Sequence, residues 1–125
     1  MEGGKLREKG NTAVKKIEAI IRQETLGLVR KALDGIGAHG VTITDVKGHG
    51  TQKGVVQQWR GASYAVDLLP KVKLETVIPD GLLEQALQLI HETGRTGEIG
   101  DGKVFVSDII EAMRVRTGER GESVV

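Results

Sequence analysis

Twice along this chain an alternating apolar segment is followed by a run at helical spacing and then by another alternating segment. In the first set Ile17, Ala19 and Ile21 alternate with Ile20 on the opposite side, and ordered structure is expected from Val14. Leu26, Val29, Leu33 and Ile36 then recur at helical spacing, before Val41 to Gly48 returns to alternation. In the second set Val72, Leu74 and Thr76 oppose Lys71, Lys73, Glu75 and Val77. Leu83, Ala86, Leu87 and Ile90 form a helical stripe, and Val104, Phe105 and Val106 favour a last strand. Thr25 and Asp80 are placed to cap the two helices, and Gly35 and Gly94 to end them. Val41, Ile43 and Val46 do not share one parity, which predicts a bulge.

A duplicated strand–helix–strand unit closes most simply as a ferredoxin-like βαββαβ plait, with both helices on one face of the sheet. Residues 50–67 then form a long loop between strands 2 and 3. A loop of that length in a small domain is expected to bind something, and Trp59 and Tyr64 lie outside any apolar period, as on a contact surface. The sheet face without helices must meet another surface. Ile17, Ile21, Ile43, Val72 and Leu74 are expected to supply apolar groups to both faces, which predicts an oligomer with its sheets packed inward. Residues 1–13 are polar and are expected to be a flexible extension to a single domain over 14–125, and 119–125 a frayed tail.

Several functions are disfavoured by what the chain lacks. A net charge of +1 and only three aromatic residues give neither the basic field nor the stacking platform of a nucleic-acid binder. Without cysteine there is no disulfide or thiolate metal site, and His39, His49 and His91 lack metal-ligand spacing. No secretory signal or membrane span is visible, so the expectation is a cytoplasmic protein without direct membrane insertion.

The chemistry is concentrated in Thr96-Gly97-Glu98-Ile99-Gly100-Asp101-Gly102-Lys103. Successive N–H groups in such a turn can form an anion-binding concavity, and Lys103 adds a charge at its exit. Further on, Ala112, Arg114 and Arg116 share a face if this segment is extended. Two neighbouring arginines repel unless an anion lies across them, so with Gly100 to Lys103 they make one candidate polyphosphate site.

Three segments together resemble the PII nitrogen-regulatory signal-transduction family: Lys15-Lys16-Ile17-Glu18-Ala19-Ile20-Ile21-Arg22; Gln52-Lys53-Gly54 with Arg60-Gly61-Ala62-Ser63-Tyr64 and Asp67 to Lys73; and Arg95 to Val106 continuing to Arg114-Val115-Arg116-Thr117-Gly118-Glu119. The resemblance covers Val14 to Glu122. It implies a homotrimer with three intersubunit nucleotide sites, each subunit projecting a long mobile loop over 50–67. It implies a sensor rather than an enzyme, binding ATP or ADP and, with ATP and Mg²⁺, 2-oxoglutarate. The resemblance assigns Gly50, Gly100, Asp101, Gly102 and Lys103 to the nucleotide, with Arg114 and Arg116 from the neighbour and Thr42 and Val77 at the adenine and ribose end. Gln52 would ligate Mg²⁺ beside the ATP phosphates. Gln52, Lys53, Gly54 and Lys71 would hold 2-oxoglutarate. Tyr64 stands where many members are nucleotidylated. Implied partners are an ammonium transporter, which would bring the protein to the membrane, a nucleotidyltransferase, a metabolic kinase such as that of the arginine pathway, or a sensor kinase.

The chain departs from the family pattern at Thr51, where an arginine is usual, and the missing charged contact is worth about 1–3 kcal/mol if nothing replaces it. Trp59 and Val55 to Gln58 alter the loop, and Gln23 and Asp108 replace common prolines. Two other readings fit the same residues: a small phosphohydrolase using Lys103, Arg114 and Arg116, for which no clear general base is visible, and a PII-like sensor of a different small ligand.

Overall fold

The computed structural model describes residues 13–49, 56–59, 62–65 and 68–125. β1 (Val14–Ile21), α1 (Leu26–Gly35) and β2 (Val41–His49) form the first unit. A two-stranded antiparallel hairpin, β3 (Val56–Trp59) and β4 (Ala62–Ala65), lies within the stretch expected as one long loop. β5 (Leu68–Pro79), α2 (Leu83–Gly94) and β6 (Gly102–Asp108) form the second unit. The four long strands pair antiparallel in the order β2-β5-β1-β6, the plait expected from the repeat.

The register decides which side chains share a face. Ile17, Ala19 and Ile21 lie opposite Thr76, Leu74 and Val72 on β5, and Ile43 lies opposite Leu74 from the other side. These residues therefore point the same way, and with Ile78 most are buried against Val29 and Leu33 of α1 and Ala86 and Ile90 of α2. Fully burying each such aliphatic chain stabilises by about 1.5–3 kcal/mol. The expectation that Ile17, Ile21, Ile43, Val72 and Leu74 serve both faces is thus corrected. The helix-free face is supplied by Ile20, Val46, Val77 and Phe105, set among Lys16, Glu18, Lys73 and Glu75. Lys16 bonds to Glu75 there at 2.7 Å.

Three local expectations also change. β2 keeps one uninterrupted register from Val41 to His49, so the broken parity marks a partly exposed edge strand rather than a bulge. Thr25 stands at the N-cap of α1 as expected but makes no side-chain cap bond, because it also closes a short 3₁₀ turn, whereas Asp80 falls at the start of the 3₁₀ turn before α2, whose cap position goes to Leu82. The Thr25 hydroxyl instead donates to the Arg22 carbonyl at 3.1 Å. The ends of the domain are held: Ala13, placed in the flexible extension, accepts a bond from Asp80 N–H at 2.8 Å, and residues 119–125 fold back through a Met113–Arg120 bridge and a 3₁₀ turn over Glu122–Val124. Residues 1–12 lie outside the described residues.

Candidate functional site: a glycine loop on the helix-free sheet face

Register also builds the loop before β6. Ile21 pairs with Gly102, so Arg22, the first residue past β1, falls opposite Asp101. Gly102 has φ +107°, and a Cβ there would come within 1.8 Å of the Ile20 carbonyl oxygen. No side chain fits; the glycine is what lets the loop cross this close to β1. Asp101 gathers the rest. Its carboxylate accepts the Arg22 Nε at 2.9 Å, the Thr96 hydroxyl at 2.6 Å, and the N–H groups of Thr96 and Gly97 at 2.8 and 2.9 Å. Burial pushes the carboxyl up, but the bonds from Thr96 and Arg22 and the two N–H groups outweigh it and hold it well below the usual carboxylate range. A carboxylate so engaged is not a general base.

Lys71 is buried although charged. Its stem passes over Gly48, where an added Cβ would sit 3.0 Å from its Cγ, and its ammonium donates to the Gly100 carbonyl. Burial, then the nearby Arg22, lower its pKa, against the opposing pull of Asp101 and Glu24. Lys103 begins the open-face side of β6, and among the described residues nothing neutralises its ammonium. Gly100, Gly102, Lys103 and Lys71 line one cavity of about 600 Å³ on the helix-free face, floored by Ile20 and Phe105. It offers cations, a glycine backbone and an apolar floor to one ligand, a combination suited to an anion with a flat or aliphatic part.

The other assigned residues lie elsewhere in the protomer. Thr42 and Val77 line a second cavity of about 830 Å³, with Glu111 and Met113. Arg114 and Arg116 follow the far end of β6 at Asp108, which itself lies five strand residues, about 17 Å, from Lys103. They are not on a strand, as the alternation implied. The chain turns back at Thr117-Gly118, with Gly118 N–H donating to the Arg114 carbonyl at 2.8 Å, and Glu119 pairs with Arg114 at 2.5 Å. Gly50, Gln52, Lys53 and Gly54 lie outside the described residues, as does the Tyr64 side chain, whose backbone pairs with Gln57 in the hairpin. Arg22 was missed as a site residue by sequence reasoning. The available signal was a cation ending an apolar strand that must pair with the glycine loop.

A plait with a glycine loop and two lysines around a cavity on its open sheet face is a small ferredoxin-like domain with room for an anion there. Comparison with known proteins makes this specific. The family model described as Nitrogen regulatory protein P-II matches residues 14–119. The P-II protein of Rhodospirillum rubrum is 54% identical over 112 residues, covering 90% of this chain and 100% of that protein. That of Methanothermobacter thermautotrophicus is 50% identical over 112 residues, covering 90% and 97%. A solved structure of Arabidopsis thaliana PII bound to citrate superposes with a TM-score of 0.73 at 39% identity over 90% of each chain. The chain belongs to the PII family of nitrogen regulatory proteins. It is therefore a signal-transduction protein that regulates others and not an enzyme, which sets aside the phosphohydrolase reading. Among the described residues no helix is long and apolar enough to cross a membrane.

Proposed function

We propose that this protein is an ATP/ADP-responsive regulator that assembles as a homotrimer and binds each nucleotide at a seam between subunits. The observation that carries the reading is the division of the assigned residues between two ends of one protomer. Gly100, Gly102 and Lys103 lie at one end of the open sheet face, and Thr42 and Val77 at the other, beside Ala112 and Met113 of the segment that leads into Arg114 and Arg116. A single chain cannot close such a site, whereas a neighbour's second half meeting the first half does. Exposed Phe105, Ile110, Met113 and Val115 on and after the edge strand β6 supply apolar surface for that seam.

The glycine loop and Lys103 take the phosphates from one subunit, and Arg114 and Arg116 close on them from the other. The base and ribose rest against Thr42 and Val77. Lys71 fits the distal carboxylate of 2-oxoglutarate: its ammonium now rests on a neutral carbonyl, a weaker partner than a carboxylate. The citrate in the Arabidopsis thaliana structure is in keeping with a family site for small carboxylates. Mg²⁺, held by Gln52 with Lys53 and Gly54 nearby, would supply the charge linking triphosphate to oxo-acid. Occupancy then shifts the arm over 50–67 and selects the partner, whether ammonium transporter, nucleotidyltransferase, metabolic kinase or sensor kinase. Tyr64 on that arm is a candidate for nucleotidylation, which would add bulk and charge against docking.

Calorimetry tests the reading. ADP and ATP should bind, and 2-oxoglutarate should bind only with ATP and Mg²⁺ present. Binding of 2-oxoglutarate equally well without them favours the reading as a sensor of a different ligand. Sedimentation should give three times the protomer mass; a monomer removes the seam.

A further inference from the structure

The loop that carries Gly100 and Lys103 is held in shape by a residue far away in sequence. Arg22 uses two nitrogens: Nε donates to Asp101 Oδ1 at 2.9 Å and Nη2 to the Ile99 carbonyl at 3.0 Å. Asp101 ties the start of the loop through Thr96 and Gly97. One carboxylate thus closes residues 96–101 on themselves, and one guanidinium anchors that closed loop to the end of β1. The glycines alone do not define this path. Gly97, Gly100 and Gly102 have φ of +92°, +103° and +107°, in a region that glycine enters freely but also leaves freely. A planar fork bonded at two points selects one path from many.

We infer that Arg22 is a positioning residue of the anion site, acting through Asp101 and the Ile99 carbonyl so that Gly100 to Lys103 meets phosphate already in its binding shape. This rests on the reading that the loop takes nucleotide phosphates. Arg22 is held by its own chain, and Asp101 has its carboxylate filled by four bonds from Arg22, Thr96 and Gly97, so the effect runs through backbone shape rather than contact.

Through-space attraction is the competing account, and charge separates the two. Arg22→Lys keeps the positive charge but loses the fork. Asp101→Asn removes a negative charge beside an anion site, so attraction alone requires tighter binding. The experiment is calorimetric titration of the full chain with ADP and with ATP at fixed ionic strength, alongside thermal unfolding and sedimentation. Positioning predicts about tenfold weaker binding in both variants. It also predicts that the salt dependence of affinity in Arg22→Lys matches wild type, because its charge is kept and no phosphate contact is removed, whereas Lys103→Ala flattens it. Wild-type affinity in Arg22→Lys, or tighter binding in Asp101→Asn, overturns the inference while leaving the nucleotide reading intact. A wild-type protein that takes up neither nucleotide overturns both. Should Asp101→Asn lose its fold, Arg22→Lys, which keeps charge and most of the stem, decides alone.

Discussion

The loop over 96–102 and the turn over 112–120 each present cations or N–H groups to the proposed nucleotide, and they are built in opposite ways. The loop is braced against the core: Gly102 pairs with buried Ile21, Asp101 holds four bonds, and Arg22 fastens it to β1. The turn hangs beyond the sheet. Its ion pairs, Arg114 with Glu119 at 2.5 Å and Arg120 with Glu111 at 2.6 Å, are largely exposed, and Val115 is 89% exposed. A braced half meets ligand with little ordering left to do. On the proposed seam, the exposed half would settle only when ligand and neighbour arrive. Such a division of labour suits a sensor, in which a fixed platform reads the anion and the joint between chains reports it.

The largest effect should come from Gly102→Ala. The new methyl would meet the Ile20 carbonyl at 1.8 Å, so strand pairing and loop must both shift. A loss of more than about 2 kcal/mol in denaturant unfolding is expected, together with loss of nucleotide binding. Gly118→Ala in the turn, at φ +77° with nothing near its Cβ, should cost much less; equal losses would erase the contrast.

Next is Lys103→Ala, expected to weaken ADP roughly tenfold to a hundredfold with an unchanged unfolding midpoint, since that ammonium has no partner among the described residues. A lowered midpoint with unaltered affinity would mark Lys103 as structural.

Acid sharpens the comparison further. Asp101 has a depressed pKa, so its contribution to stability is complete above the unfolded value of about 3.9 and is lost as pH falls below that toward its lower folded value. Glu119 is also depressed, by bonds from Thr117 and then Arg114, but at an exposed site. In an NMR titration the Glu119 side-chain carbonyl signal should move before that of Asp101 as acid is added. The reverse order would place the brace in the turn.

The smallest effect is expected from Glu119→Gln. Exposed pairs contribute little, so the unfolding midpoint should stay within about 2 °C and the difference should shrink in high salt. A larger fall would mean that the turn is as firmly built as the loop.

The repeat made the plait legible, because alternation and helical spacing are local properties of a segment. So was the tight turn before β6, because three glycines ahead of an apolar run favour one, although composition alone left a plain hairpin turn open beside an anion site. What escaped needs partners distant in sequence. Arg22 and Asp101 are 79 residues apart, and only the β1–β6 register brings them together. The faces of Ile43 and Ile17 likewise depend on a register that neither segment specifies alone. The turn was hidden by its own pattern: Ala112, Arg114 and Arg116 alternate like a strand, yet Gly118 and the Thr117–Glu119 bond reverse the chain. Asp80 has the chemistry of a cap but opens a 3₁₀ turn two residues before the cap of α2, a shift that composition does not encode.

Whether one nucleotide draws its cations from two chains is tested most directly by mixing two defective proteins. Lys103→Ala and Arg116→Ala should each bind ADP poorly alone. Denatured together and refolded, they should form mixed assemblies in which an intact Lys103 meets an intact neighbouring Arg116, and part of the high-affinity binding should return. If the mixture binds no better than the average of its parts, the two residues do not meet across a seam.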